Sequence, residues 1–170
     1  MSVKIVDQSN VDRLLAVLAE LERLQVEIGV FGEDDSHLLM VARVHEFGCQ
    51  INVTPRMRGW FLAQGYPLRR STTQINIPER SYMRSSFDES ENDLIRVVET
   101  LLGHVIDLKL SPREFYERVG IWVVSRIQAK IQSLQDPPLA AMTIERKGSS
   151  NPLIDEGRLY QSITYRVVGA

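Results

Sequence analysis

This sequence predicts an α+β domain with a small, mainly antiparallel sheet, and three observations lead to that class. Strand-like stretches are few, and helical patterns are gathered between them. The last strand, Ser162-Ile163-Thr164-Tyr165-Arg166-Val167, alternates strictly: Ile163, Tyr165 and Val167 fall on one face, Ser162, Thr164 and Arg166 on the other. Before it runs one long helical pattern with a complete start signal, Ser111-Pro112-Arg113-Glu114, in which the serine and the glutamate are spaced as a capping box.

The elements follow in order. Ser9 or Asn10 offers an N-cap, and Val11, Leu14, Leu15, Leu18 and Leu21 then recur at three and four residues, an amphipathic helix of about four turns. Gln25 to Phe31 alternates through Val26, Ile28 and Val30 as a first strand, ended by Gly32 and the acidic turn Glu33-Asp34-Asp35. Ser36 to Phe47 reads as a helix with Leu38, Val41, Ala42 and His45 on its apolar face and Gly48 as its stop. Cys49 to Thr54 is a second strand. After the irregular stretch Pro55 to Ile77, Pro78 opens another helical pattern through Tyr82, Met83, Phe87, Leu94, Val98 and Leu101, with a break expected between Asp88 and Asn92. The Ser111 helix runs to about Leu134, and its stripe of Phe115, Val119, Trp122, Val123, Ile127 and Ile131 places Trp122 in the core. Asp136-Pro137-Pro138 ends it, because proline has no amide donor and pushes its predecessor out of the helical region. A polar loop from Leu139 to Asn151 leads to the turn Asp155-Glu156-Gly157, where Gly157 answers a need for positive φ or close backbone approach, and Leu159 and Tyr160 begin the apolar face of the closing strand.

Composition narrows the function classes. At 170 residues the chain is expected to form a single domain with an arm at about 55–77, burying roughly 70% of its unfolded surface. Twenty Lys and Arg against 22 Asp and Glu give a net charge of -2, so there is no general attraction to nucleic acid or anionic lipid. One cysteine, Cys49, excludes an internal disulfide and a cysteine metal cluster and points to a reducing compartment. No apolar run approaches a membrane span and the N-terminus reaches charge quickly, so the expectation is a cytoplasmic protein, or one that leaves within a larger particle.

Catalysis has no constellation behind it. His45-Glu46 invites a metal or acid-base reading, but His37 and His104 have no ligand spacing to it and HExxH is absent. Cys49 and the serines lack any triad or elbow, so no catalytic residue, metal or cofactor is expected. The arm is the informative stretch. Arg56, Arg58, Arg69 and Arg70 can meet either DNA phosphate or, the favoured reading, acidic surface on a neighbouring subunit; Trp60, Phe61 and Tyr66 beside them are residue types that carry interface energy, or else local core. Glu33, Asp34 and Asp35 are the candidate acidic complement. Arg80 and Arg84, four apart on one helical face, are either a solvated face paired with Glu79 or Asp88, or a further subunit contact.

Three segments together resemble a family: His45-Glu46-Phe47-Gly48, then Ile77-Pro78-Glu79-Arg80-Ser81-Tyr82-Met83-Arg84, then Pro152-Leu153-Ile154-Asp155-Glu156-Gly157-Arg158-Leu159 leading into Ser162-Ile163. In that order and at that spacing they are similar to the small neck and tail-completion (head-to-tail joining, virion morphogenesis) proteins of long-tailed bacteriophages and prophages. The match covers about residues 25 to 168, and its motif positions here are His45, Glu46, Phe47, Gly48, Pro78, Arg80, Asp155, Gly157 and Leu159. Relatives often carry Asp-Thr-Gly where this chain has Asp155-Glu156-Gly157. The resemblance implies a curved sheet packed on a long helix, self-association as a ring, commonly hexameric, and neighbours among portal-side connector and tail-tube proteins. It also implies assembly in a bacterial host's cytoplasm, a final place in the virion, a passing contact with DNA and none with membrane.

Overall fold

The computed structural model describes residues 10–32 and 35–169. In chain order these form α1 (Val11–Arg23), β1 (Leu24–Gly29), α2 (Ser36–Phe47), β2 (Cys49–Asn52), α3 (Pro55–Ala63), β3 (Gln74–Ile77), α4 (Met83–Ile106), α5 (Pro112–Ser133), α6 (Ala141–Lys147), α7 (Arg158–Ser162) and β4 (Thr164–Gly169). The class is α+β. The strands do not join one sheet, however: β1 pairs antiparallel with β4 and β2 antiparallel with β3, giving two separate two-stranded ribbons.

The axis is α5. Its start is fixed locally: Ser111 Oγ accepts from the Glu114 N–H at 3.3 Å, and the Glu114 carboxylate accepts from the Ser111 N–H at 3.0 Å, so both halves of the capping box are made. Against it lies the β1–β4 ribbon, running from Leu24 opposite Gly169 to Gly29 opposite Thr164. That register puts Val26 and Ile28 on one face with Val167 and Tyr165, while Glu27 and Arg166 meet on the other as an ion pair at 2.6 Å. The ribbon sits close because α5 offers Gly120, where a Cβ would lie 2.6 Å from the Tyr165 ring. A larger residue there would push the strand off the helix.

Two apolar clusters hold the elements. In one, Ile127 and Ile131 of α5 meet Ala42, Tyr82, Leu153, Leu159 and Ile163. In the other, Val105, Leu110, Phe115 and Val119 close the α4–α5 turn and receive Val17 and Leu21 from α1. Fully burying a side chain such as Ile131 contributes about 1.5–3 kcal/mol, so the clusters rather than helix propensity decide the packing.

Several expectations are corrected. Pro55–Ala63 is a helix, started by Thr54 accepting from the Met57 N–H at 3.2 Å with proline in the first turn, so the arm is a helix set between two paired strands. No break occurs at Asp88–Asn92: α4 runs through it, its polar residues facing outward. The loop after Pro138 contains α6, and Leu159 and Tyr160 lie in α7 rather than opening the last strand, although Leu159 is buried as expected. Trp122 is half-buried outside both clusters, with the Arg126 guanidinium 4.8 Å from its ring centroid.

Candidate functional site

The first two motifs, apart in sequence, fold into one junction. Glu46, at the end of α2, is 4% exposed. Its carboxylate accepts from the backbone N–H of Met83 at 2.9 Å and of Arg84 at 3.0 Å, from Ser81 Oγ at 2.9 Å and from Arg84 Nε at 3.1 Å. The first N–H groups of α4 have no partner within their own helix, and here a carboxylate from a different helix supplies it. Burial pushes the Glu46 carboxyl up, but these donors outweigh burial and hold it below its ordinary 4.5. Arg84 Nη2 also donates to the Glu46 carbonyl at 2.9 Å and to Glu79 at 2.7 Å, with its guanidinium 4.8 Å from the Phe47 ring centroid. Gly48 completes the crossing: its φ is 70°, and a Cβ there would stand 2.9 Å from the Glu79 nitrogen.

Arg80 is not on a solvated face; it is 4% exposed, and its guanidinium is used within the chain. Its backbone N–H donates to the His45 carbonyl at 2.8 Å, Nε to the Pro137 carbonyl at 2.8 Å and Nη2 to the Pro138 carbonyl at 3.1 Å. It ties the chain leaving α5 to the start of the α4 motif. His45 lies beside it. Burial, then the charges of Arg80 and Lys147, hold its imidazole below the ordinary 6.5, and its Nδ1 is buried without a hydrogen-bond partner among the described residues. Neutral at pH 7, it is a wall residue.

The third motif is organised by Asn151. Its side-chain oxygen accepts from the N–H of Leu153 at 2.9 Å and of Ile154 at 3.1 Å, and its nitrogen donates to the Gln132 carbonyl at 3.0 Å. That turn seats Pro152 and Leu153 in the core and leads through Gly157, at φ 76°, into Leu159. Asp155 and Glu156 stay exposed. Arg158 pairs with Asp35, whose other oxygen caps α2 by accepting from the Leu38 N–H at 2.9 Å. Asp35 is thus engaged within its own chain, as cap of α2 and partner of Arg158; Glu33 and Asp34 lie outside the described residues.

The arm contrasts with these motifs. Arg58 is turned inward and donates to the carbonyls of Arg69 at 3.0 Å, Arg70 at 3.4 Å and Thr72 at 2.5 Å, which folds the Arg69–Thr72 turn against the start of α3. Tyr66 OH donates to Glu145 of α6 at 2.7 Å, tying the arm to the body, and Phe61 is half-buried with Trp60 edge-on at 5.0 Å. Of the arm residues expected at an interface, the exposed ones are Arg56, Trp60, Arg69 and Arg70, and the three arginine side chains have no hydrogen bond or ion pair with another described residue. Arg56 and Trp60 lie one turn apart on the same side of α3. Leu62, 64% exposed, was not singled out by sequence; a helix pattern starting at Pro55 would have drawn attention to it.

Among the described residues no three of His, Cys, Asp and Glu come together as metal ligands, and no helix is long and apolar enough to cross a membrane. No protein-family model, no curated protein and no solved structure matches this chain.

Proposed function

We propose that this chain is a non-enzymatic structural protein of the neck or tail-completion kind of long-tailed bacteriophages and prophages, forming a ring that joins head to tail or caps the tail tube. The observation that carries the reading is the division of labour between the resembling segments and the arm. The segments are consumed in architecture, Glu46 capping α4 and Asn151 holding the last turn, while Arg56, Trp60, Arg69 and Arg70 stay exposed. Buried, satisfied polar junctions define a unique body, and exposed arginine with tryptophan is the composition of a docking face. Its partners would be other copies of itself and the connector and tail-tube proteins above and below, within the virion and, before that, in the host bacterium. Light scattering across a concentration series at low and moderate salt tests the reading. A discrete ring-sized species is expected; a monomer at every concentration would overturn self-assembly.

One observation favours a second reading, a nucleic-acid-binding accessory role. From Cys49 to Pro78 the chain has four arginines and no acidic residue. Gel shifts with duplex DNA would then weaken steeply as salt rises, because phosphate contacts release counterions. Binding that is absent near physiological salt removes this reading.

A further inference from the structure

We infer that the arm of one copy docks in an apolar groove beside the first turns of α4 in the next copy; the inference rests on the self-assembly reading. The groove, ≈ 420 Å³, is walled by Ile28 of β1, Met83, Phe87 and Leu94 of α4, and Val123 and Ile127 of α5. Over Ile28 and Met83 it continues into a second cleft of ≈ 300 Å³ against α2. Phe87 stands at its mouth, 50% exposed. Arg84 and Asp88 also line the groove, the Arg84 guanidinium already engaged by Glu46 and Glu79, and Glu91, one turn on from Asp88 and exposed, stands on the same side of the helix. Neither Asp88 nor Glu91 has an ion pair or hydrogen bond from its carboxylate with another described residue, whereas Glu89 and Asp93 nearby are paired with Lys130 and Arg96.

The arm is the complementary object on the same chain. It presents one exposed tryptophan, Trp60, flanked by Arg56 one turn away and by Arg69 and Arg70, which the Arg58 clamp holds beside α3. An exposed aromatic side chain on the same arm as cations with no partner among the described residues fits an apolar groove beside carboxylates that have none among them either. Arm and groove are different surfaces, and Tyr66 ties the arm towards α6 rather than α4, so the contact joins two copies head to tail, the arrangement that closes into a ring or runs on as a filament.

Charge exchange tests it. R69E/R70E and D88R/E91R are each made in the full chain, checked by circular dichroism, and examined by sedimentation alone and as an equimolar mixture. Each alone should self-associate at least about tenfold more weakly than the parent chain, and the mixture should regain association because acidic arm then meets basic groove. W60A, which alters no charge, should weaken association comparably. Parent-like oligomers from both charge variants would overturn the docking surface and leave self-assembly standing, as would a mixture that fails to recover. A parent chain that stays monomeric throughout overturns both.

Discussion

The junction around Glu46 and the arm around Trp60 are made of the same kinds of residue. Each has arginines and an exposed aromatic side chain, yet one is closed and the other open. At the junction Arg80 donates to three backbone carbonyls, two from its guanidinium and one from its amide, and Arg84 meets Glu46 and Glu79. Among the described residues, Arg58 is the arm arginine satisfied in this way, and Arg56, Arg69 and Arg70 have no such acceptors. The difference lies in what folds up against them: carboxylates and the carbonyls before α6 at the junction, and no acidic residue within the arm's own sequence. Arginine content alone therefore distinguishes neither a clamp from a docking face; the supply of acceptors does.

The comparison breaks most sharply at Glu46. Glu46→Ala leaves the first N–H groups of α4 and the Ser81 hydroxyl without their acceptor and should lower stability by about 3 kcal/mol, read by urea denaturation. A loss below about 1 kcal/mol would mean water replaces the carboxylate and the junction is not closed. Gly48→Ala should cost about 2 kcal/mol, since φ 70° disfavours a side chain and the Glu79 backbone stands in the way. Acid is a third probe. His45 is held below its ordinary 6.5, so the folded state takes up fewer protons there than the unfolded chain, and stability should begin to fall as pH drops below about 6.5. Glu46 is held below its ordinary 4.5, so its contribution is complete above that pH and is lost as pH falls through the lower folded value. Thermal melts at successive pH values should show both stages, and H45Q should remove the first. The smallest effect on stability belongs to the arm: R69E/R70E should leave the unfolding free energy of the single chain, read by urea denaturation, unchanged within about 0.5 kcal/mol, as expected for exposed positions with no partner among the described residues.

What was legible in the sequence was what local spacing controls. The capping box at Ser111 and Glu114, the alternation of Tyr165 and Val167 and the stop at Gly48 all depend on neighbours within a few residues, and the structure has each of them. The helix at Pro55 carried a legible signal too, Thr54 followed by proline, masked by the glycines and arginines around it. The acidic run at Asp88–Asn92 resembled a break because its charges interrupt the apolar pattern, but a long exposed helix tolerates them on its outer side. Arg80 was not legible. Its partners Pro137 and Pro138 lie far along the chain, and nothing near Arg80 announces two free carbonyls. Nor could spacing say that the strands pair as two ribbons, because pairing between distant strands is settled by tertiary context: β1 and β4 pack together on α5, while β2 and β3 pair with each other across the arm. Within the arm, composition marked the stretch, and only the Arg58 and Tyr66 hydrogen bonds separate its internal residues from its outward ones.

The β1–β4 ribbon imposes an order of events on synthesis. Leu24 waits for Gly169 and Gly29 for Thr164, so a strand that leaves the ribosome early finds its partner only after residues 164–169 have emerged. Until then Tyr165 is missing from its place against Gly120, and Ile28, one wall of the groove beside α4, has no strand to hold it. Two unfinished chains on one polysome would each have an arm and neither a finished groove. If copies dock arm to groove as proposed, the ribbon acts as a completion check: a copy can receive a neighbour's arm only after Thr164–Gly169 has paired with Leu24–Gly29.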